Sequence, residues 1–88
     1  MTPALPRGVR LHWDKVRDTH VLLGPERALM LDPIAHAILS RVDGKATEAA
    51  ICDDLAATFG APRDQVGADV AAMLRDLADK RLVELSDG

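Results

Sequence analysis

Leu22 to Gly44 reads LLGPERALMLDPIAHAILSRVDG, and the order of its parts decides the architecture. The apolar run Ala28-Leu29-Met30-Leu31 is too short for a helix and is closed by Asp32-Pro33. That pair reads as a helix N-cap followed by the first helical residue. An Asp side chain accepts from orphan N–H groups, and Pro has no N–H that needs a partner there. The helix that starts at Pro33 stops at Asp43-Gly44. A short strand held between the turn Gly24-Pro25-Glu26 and a capped helix presents a free edge. A free edge is a template for an extended peptide.

Working outward, Val9 to Val16 alternates, with Val9, Leu11 and Trp13 on one side and Arg10, His12 and Asp14 on the other. This is the pattern of a half-buried strand. Arg17-Asp18 turns the chain into a second strand, Thr19 to Leu23, and Gly24-Pro25-Glu26-Arg27 turns it into the third, Ala28 to Leu31. Connections this short join antiparallel neighbours, so the three strands form a meander. Three helices follow. Pro33 to Arg41 aligns Ile34, Ala37, Ile38 and Val42. A second helix, capped by Thr47, aligns Ala50, Ile51, Leu55 and Phe59 and ends at Gly60. The third runs from Pro62 to about Lys80 with Val66, Val70, Met73, Leu74 and Leu77 on one face. Leu82 to Leu85 reads as a last short strand. The expected class is α+β and winged helix-turn-helix-like, a three-stranded antiparallel N-terminal sheet followed by three helices. Residues 1–8, with Pro3, Pro6 and Gly8, read as a flexible arm, and residues 9–88 as a single domain.

At 88 residues the chain buries about 60–65% of its unfolded surface, enough for a modest core but not a deep enclosed active site. Only 2% of residues are aromatic, Trp13 and Phe59, so the core is aliphatic. No run approaches the ~18 apolar residues of a membrane span, and the first residues lack an apolar signal core. The one cysteine, Cys52, leaves no internal disulfide, which fits a cytoplasmic protein. Charge is uneven: residues 1–31 are net basic by +2 and the rest net acidic by −5. A basic sheet suits an acidic partner strand.

The chain carries little catalytic chemistry. His12, His20 and His36 fit no zinc spacing and read as surface histidines, with Lys15 rather than His12 expected opposite His20. Cys52 reads as a buried thiol with no histidine to activate it. Asp53 and Asp54 are helix neighbours about 100° apart, so they do not act as a pair. No phosphate loop or nucleophile elbow occurs. The expectation is a protein that is not an enzyme and needs no cofactor or metal. The helix order also suits a winged-helix DNA-binding regulator. However, the third helix sets Arg63, Arg75 and Lys80 against Asp64, Asp69, Asp76 and Asp79, with Gln65 its one neutral amide, and a net negative helix repels phosphates. Nucleic acid and membranes are therefore not expected partners. A homodimer formed by exchanging the N-terminal arm is a third arrangement.

Nearly the whole chain resembles the PqqD family of pyrroloquinoline quinone biosynthesis. The resemblance lies in Pro6-Arg7, Leu11, Trp13-Asp14, Leu22-Leu23-x-Pro25-Glu26, Leu31-x-x-x-Ala35-x-x-Ile38-Leu39, Asp43-Gly44, Asp69-Val70-x-x-Met73-Leu74-x-x-Leu77 and Leu82-Val83. Pro25-Glu26 through Asp43-Gly44 is its specific part. Gly24 stands where the family usually has Tyr, Asp32 where Asn is common, and Val42 where Cys is frequent. The resemblance implies a peptide chaperone, a recognition element that holds the precursor peptide PqqA for the radical SAM enzyme PqqE, which cross-links Glu and Tyr side chains of that peptide. It further implies that the leader adds as a strand beside the third strand and against the third helix. The expected site is therefore Arg27, Ala28, Leu29, Met30 and Leu31 on the edge, walled by Val66, Asp69, Val70, Met73, Asp76 and Leu77. Leu29 and Leu31 share the core face of the strand, and Ala28 and Met30 share the other. Backbone bonds contribute only ~1 kcal/mol each, so buried guest side chains must supply the remaining affinity.

Overall fold

The structure, a computed structural model, describes residues 1–87. Strands β1 (Thr2–Ala4), β2 (Arg10–Asp14), β3 (Thr19–Gly24) and β4 (Arg27–Met30) precede helices α1 (Pro33–Leu39), α2 (Glu48–Phe59) and α3 (Arg63–Asp79), and β5 (Glu84–Ser86) follows. The class is α+β, as expected. The caps are those the sequence specifies. Asp32 Oδ1 accepts from the Ala35 N–H at 2.7 Å, and Pro33 takes the first helical position. Thr47 Oγ1 accepts from the Ala50 N–H at 3.1 Å, and Gly60 closes α2 in the left-handed region at φ 61°. Between α1 and α2, Asp43 Oδ1 accepts from the N–H groups of Ala46 and Lys45, which hold its carboxyl below the usual carboxylate range.

β2, β3 and β4 form an antiparallel sheet in that order, with β3 central. Leu22 is fully buried in the middle of it, opposite Leu11 on β2 and Leu29 on β4. This face joins one cluster with Ile38 and Leu39 of α1, Ile51 and Leu55 of α2, and Val70, Leu74 and Leu77 of α3. The helices thus cover a single face of the sheet. Among the described residues, no helix is long and apolar enough to cross a membrane.

Several expectations are corrected. Residues 1–8 are not simply an arm. β1 pairs antiparallel with β5, Thr2 opposite Ser86, and Thr2 and Pro3 are buried. The Glu48 N–H donates to the Met1 carbonyl at 2.7 Å and the Gly44 N–H to the Pro3 carbonyl at 3.2 Å. A two-stranded ribbon tolerates Pro3 because each strand has an unpaired side. The segment considered for exchange between copies is therefore paired within its own chain. β2 ends two residues early, so Trp13, not Lys15, faces His20 across the ladder. Asp14 Oδ1 accepts from the Val16 and Arg17 N–H groups, so a longer loop replaces the tight turn. Ile34 and Phe59, expected in core stripes, are 67% and 62% exposed, because each sits on a helix's terminal turn beyond the reach of the cluster.

The path of the chain after α3 constrains the β3–β4 turn. The Leu82 N–H donates to the Leu77 carbonyl at 2.8 Å, which directs the buried Leu82 side chain against Gly24. A Cβ at Gly24 would stand 2.6 Å from Leu82 Cδ2, so the Tyr usual in the resembling family has no room beside this leucine. Gly24→Ala is expected to lower stability by about 1–3 kcal/mol in denaturant unfolding, and by less in a Leu82→Ala background. Removing residues 1–5 is expected to lower the melting temperature, as β5 and the α1–α2 connection lose their partners.

Candidate functional site

The hydrogen-bond parity of β4 follows from two observations. The Leu31 N–H donates to the His20 carbonyl at 2.9 Å, and the ladder register pairs Leu22 with Leu29 and Gly24 with Arg27. In an antiparallel pair, bonded and non-bonded positions alternate. Arg27, Leu29 and Leu31 therefore bond inward to β3. Ala28 and Met30 turn their N–H and C=O groups outward, where the sheet order gives β4 no further neighbour. Side chains follow the same alternation. Leu31 is buried and Leu29 half-buried on the helix face, while Ala28 and Met30, the latter 68% exposed, lie on the open face.

Helix α3 runs in the opposite direction to β4. Its C-terminal end leads through Leu82 to Gly24, just before β4. Its N-terminal turns lie with Ile34, just after β4, in an apolar groove of about 350 Å³. Pro33, Ile34 and Ile38 form one wall, Val66, Asp69 and Val70 another, and Leu55 and Phe59 of α2 the base and mouth. Pro33, two residues after Leu31, is the point of the β4–α1 link that lines the groove.

The expected site residues divide accordingly. Val66, Asp69 and Val70 line the groove, and Val66 and Met73 pack half-buried against the core. Val70 and Leu77 are core residues at 1% and 4% exposure. Asp76 is drawn off by Lys80, whose Nζ donates to it at 2.7 Å. Arg27 and Asp69 are exposed and form no ion pair among the described residues. Ile34 and Phe59 at the groove mouth lie outside the expected site. Their position on terminal helical turns was the available signal.

The remaining chemistry-bearing residues are structural. Burial pushes the Cys52 thiol up, away from the reactive thiolate. Asp53 accepts from Arg63 at 2.7 Å and Asp54 from Arg41, so the adjacent carboxylates serve separate partners. Among the described residues, no cluster of three or more His, Cys, Asp or Glu could hold a metal. The histidines do hold a surprise: His20 and His36 stack with ring centroids 3.6 Å apart, and Trp13 meets His20 edge-on at 4.7 Å.

The family model described as Coenzyme PQQ synthesis protein D (PqqD) matches residues 19–83, from β3 to the end of the α3–β5 connection. The chain belongs to the PqqD family. A PqqA binding protein of Rhodopseudomonas palustris (strain BisB5) is 50% identical over 78 residues, covering 89% of this chain and 76% of its own. The solution NMR structure of the PqqD truncation of Methylobacterium extorquens PqqCD, a functional and stand-alone RiPP recognition element, superposes with a TM-score of 0.81. It is 48% identical, and the match covers 94% of this chain and 88% of that one. TbiB1 in complex with the TbiA(β) leader peptide gives a TM-score of 0.80 at 25% identity, covering 97% of this chain and 99% of that one.

The parity of this PqqD-family edge has a direct readout. In native-state hydrogen exchange, the Ala28 and Met30 amides are expected to exchange rapidly and the Leu29 and Leu31 amides slowly. Equal protection of all four would contradict the assigned ladder.

Proposed function

We propose that this protein is a non-catalytic peptide chaperone of pyrroloquinoline quinone biosynthesis. In this reading it binds the precursor peptide PqqA by strand addition at β4 and presents it to the radical SAM enzyme PqqE. The observation that carries the reading is the outward-facing backbone of Ala28 and Met30 at the end of the sheet. Support comes also from the PqqA-binding relative and from the leader-peptide complex of a structural neighbour.

The edge dictates how a guest would sit. Guest residues that bond Ala28 and Met30 point to the open face, and the residues between them point to the helix face. Apolar guest side chains are therefore required at every second position, where they pack beside Leu29, Leu31 and Met73. A guest continuing past Leu31 places its next apolar group in the groove between Ile34 and Val66. Met73 is unbranched and polarisable, and it adapts to different guest shapes. Four outward backbone groups provide pairing at ~1 kcal/mol per bond, so these apolar positions set both the affinity and the choice of guest. The exposed Arg27 at the entry of the strand offers a cation to a guest carboxylate.

The DNA-binding alternative gains nothing from the surface of α3. Arg63 and Lys80 are engaged by Asp53 and Asp76, which leaves Arg75 as the one basic side chain of that helix without an ion pair among the described residues.

Calorimetric titration with PqqA is expected to give a saturable 1:1 complex, with NMR shifts centred on residues 27–31 and the facing turns of α3. Met30→Pro removes an outward donor without breaking a β3–β4 bond, so the fold should survive while binding drops well below that of Met30→Ala. Equal effects of the two substitutions would reject backbone pairing. Adding PqqE to the preformed complex should give a ternary species on size-exclusion chromatography.

A further inference from the structure

We propose that His20 and His36 form a proton-sensitive clasp that fixes α1 to the distal row of the sheet and so positions the end of the β4 edge. Trp13, His20 and Leu31 occupy one row across the helix face of the three strands. His36, on the first full turn of α1, lies flat on His20 at 3.6 Å with an interplanar angle of 14°. Leu31, Asp32 and Pro33, the link from β4 to α1, form one side of the cleft around this stack, and Trp13, Asp18 and Thr19 form the other. The clasp thus grips the β4–α1 link, whose Pro33 also lines the apolar groove.

The stack is stable only while at least one ring is neutral. Asp18 and Asp32 are the carboxylates lining the cleft, and Asp32 is already committed to the Ala35 N–H. Asp14, beside Trp13, accepts from loop amides and pairs with Arg17. Lys15 and Arg17 belong to that loop and do not line the cleft. The carboxylates favour one imidazolium. They do not offset two imidazoliums stacked at van der Waals distance. Burial, and then the neighbouring His20, hold the His36 pKa below its ordinary 6.5. The folded state therefore favours neutral His36. Its stabilising contribution is complete above about pH 6.5 and is lost as pH falls below that value toward the lowered folded one.

Trp13, the one tryptophan, reports on the clasp without any ligand. In the peptide-free protein, acidification from pH 7.5 to 5 is expected to change Trp13 emission and the ring resonances of His20 and His36 together, with α1 amide shifts following. His36→Phe keeps a stacked ring that takes no proton and should abolish the transition, whereas His12→Phe, on the opposite sheet face, should leave it intact. An unchanged transition in His36→Phe, or none in the wild type, overturns the clasp. Should His36→Phe fail to fold, His20→Phe and the wild-type ring titrations decide the matter in the same way. The coupling to guest binding rests on the strand-addition reading: PqqA affinity should fall about tenfold over this range in the wild type and stay flat in His36→Phe. A clasp transition with pH-independent affinity overturns the positioning role. Absence of PqqA binding at every pH strikes the proposed function instead, because the clasp is read without peptide.

Discussion

Everything in this molecule depends on a strand that is bonded on one side only. β3 lies between two neighbours and its central Leu22 is wholly enclosed, while β4 spends its inward groups on β3 and turns Ala28 and Met30 to the outside. An unpaired edge is a liability in a small protein, and the usual remedies are charge, proline or a covering element. Here the strand is only four residues long and ends at a capped helix, so the open margin is brief. Brevity limits indiscriminate pairing.

The helix face is assembled from distant parts of the chain. α3 contributes its buried stripe to the core, with the half-buried Val66 and Met73 packed against it. The same helix is anchored at its far end by Leu82 against the β3–β4 turn. α1 is the shorter and less enclosed partner, held to the distal sheet row partly through aromatic contacts that involve ionisable rings.

The sequence made most of this legible where local chemistry acts alone. Asp32-Pro33, Thr47 and Gly60 set helix boundaries through backbone bonding and handedness, and these boundaries stand. The alternation at Ala28 to Leu31 gave the correct core face of β4 because a two-residue period needs no long-range information. What escaped depends on partners far apart in the chain. Nothing within residues 1–8 announces that Thr2 will meet Ser86. The His20–His36 stack needs both the loop length after β2 and the docking angle of α1. Ile34 and Phe59 continue their helices' apolar stripes in sequence, and only the finite size of the core leaves them outside.

The ladder between β1 and β5 also draws Thr2 to Ser86, while the Met1 and Pro3 carbonyls take the N–H groups of Glu48 and Gly44 beside α2. Residues from opposite extremes of the sequence thus brace one another: loosening β1 strips β5 of its ladder partner and frees the amides of Gly44 and Glu48.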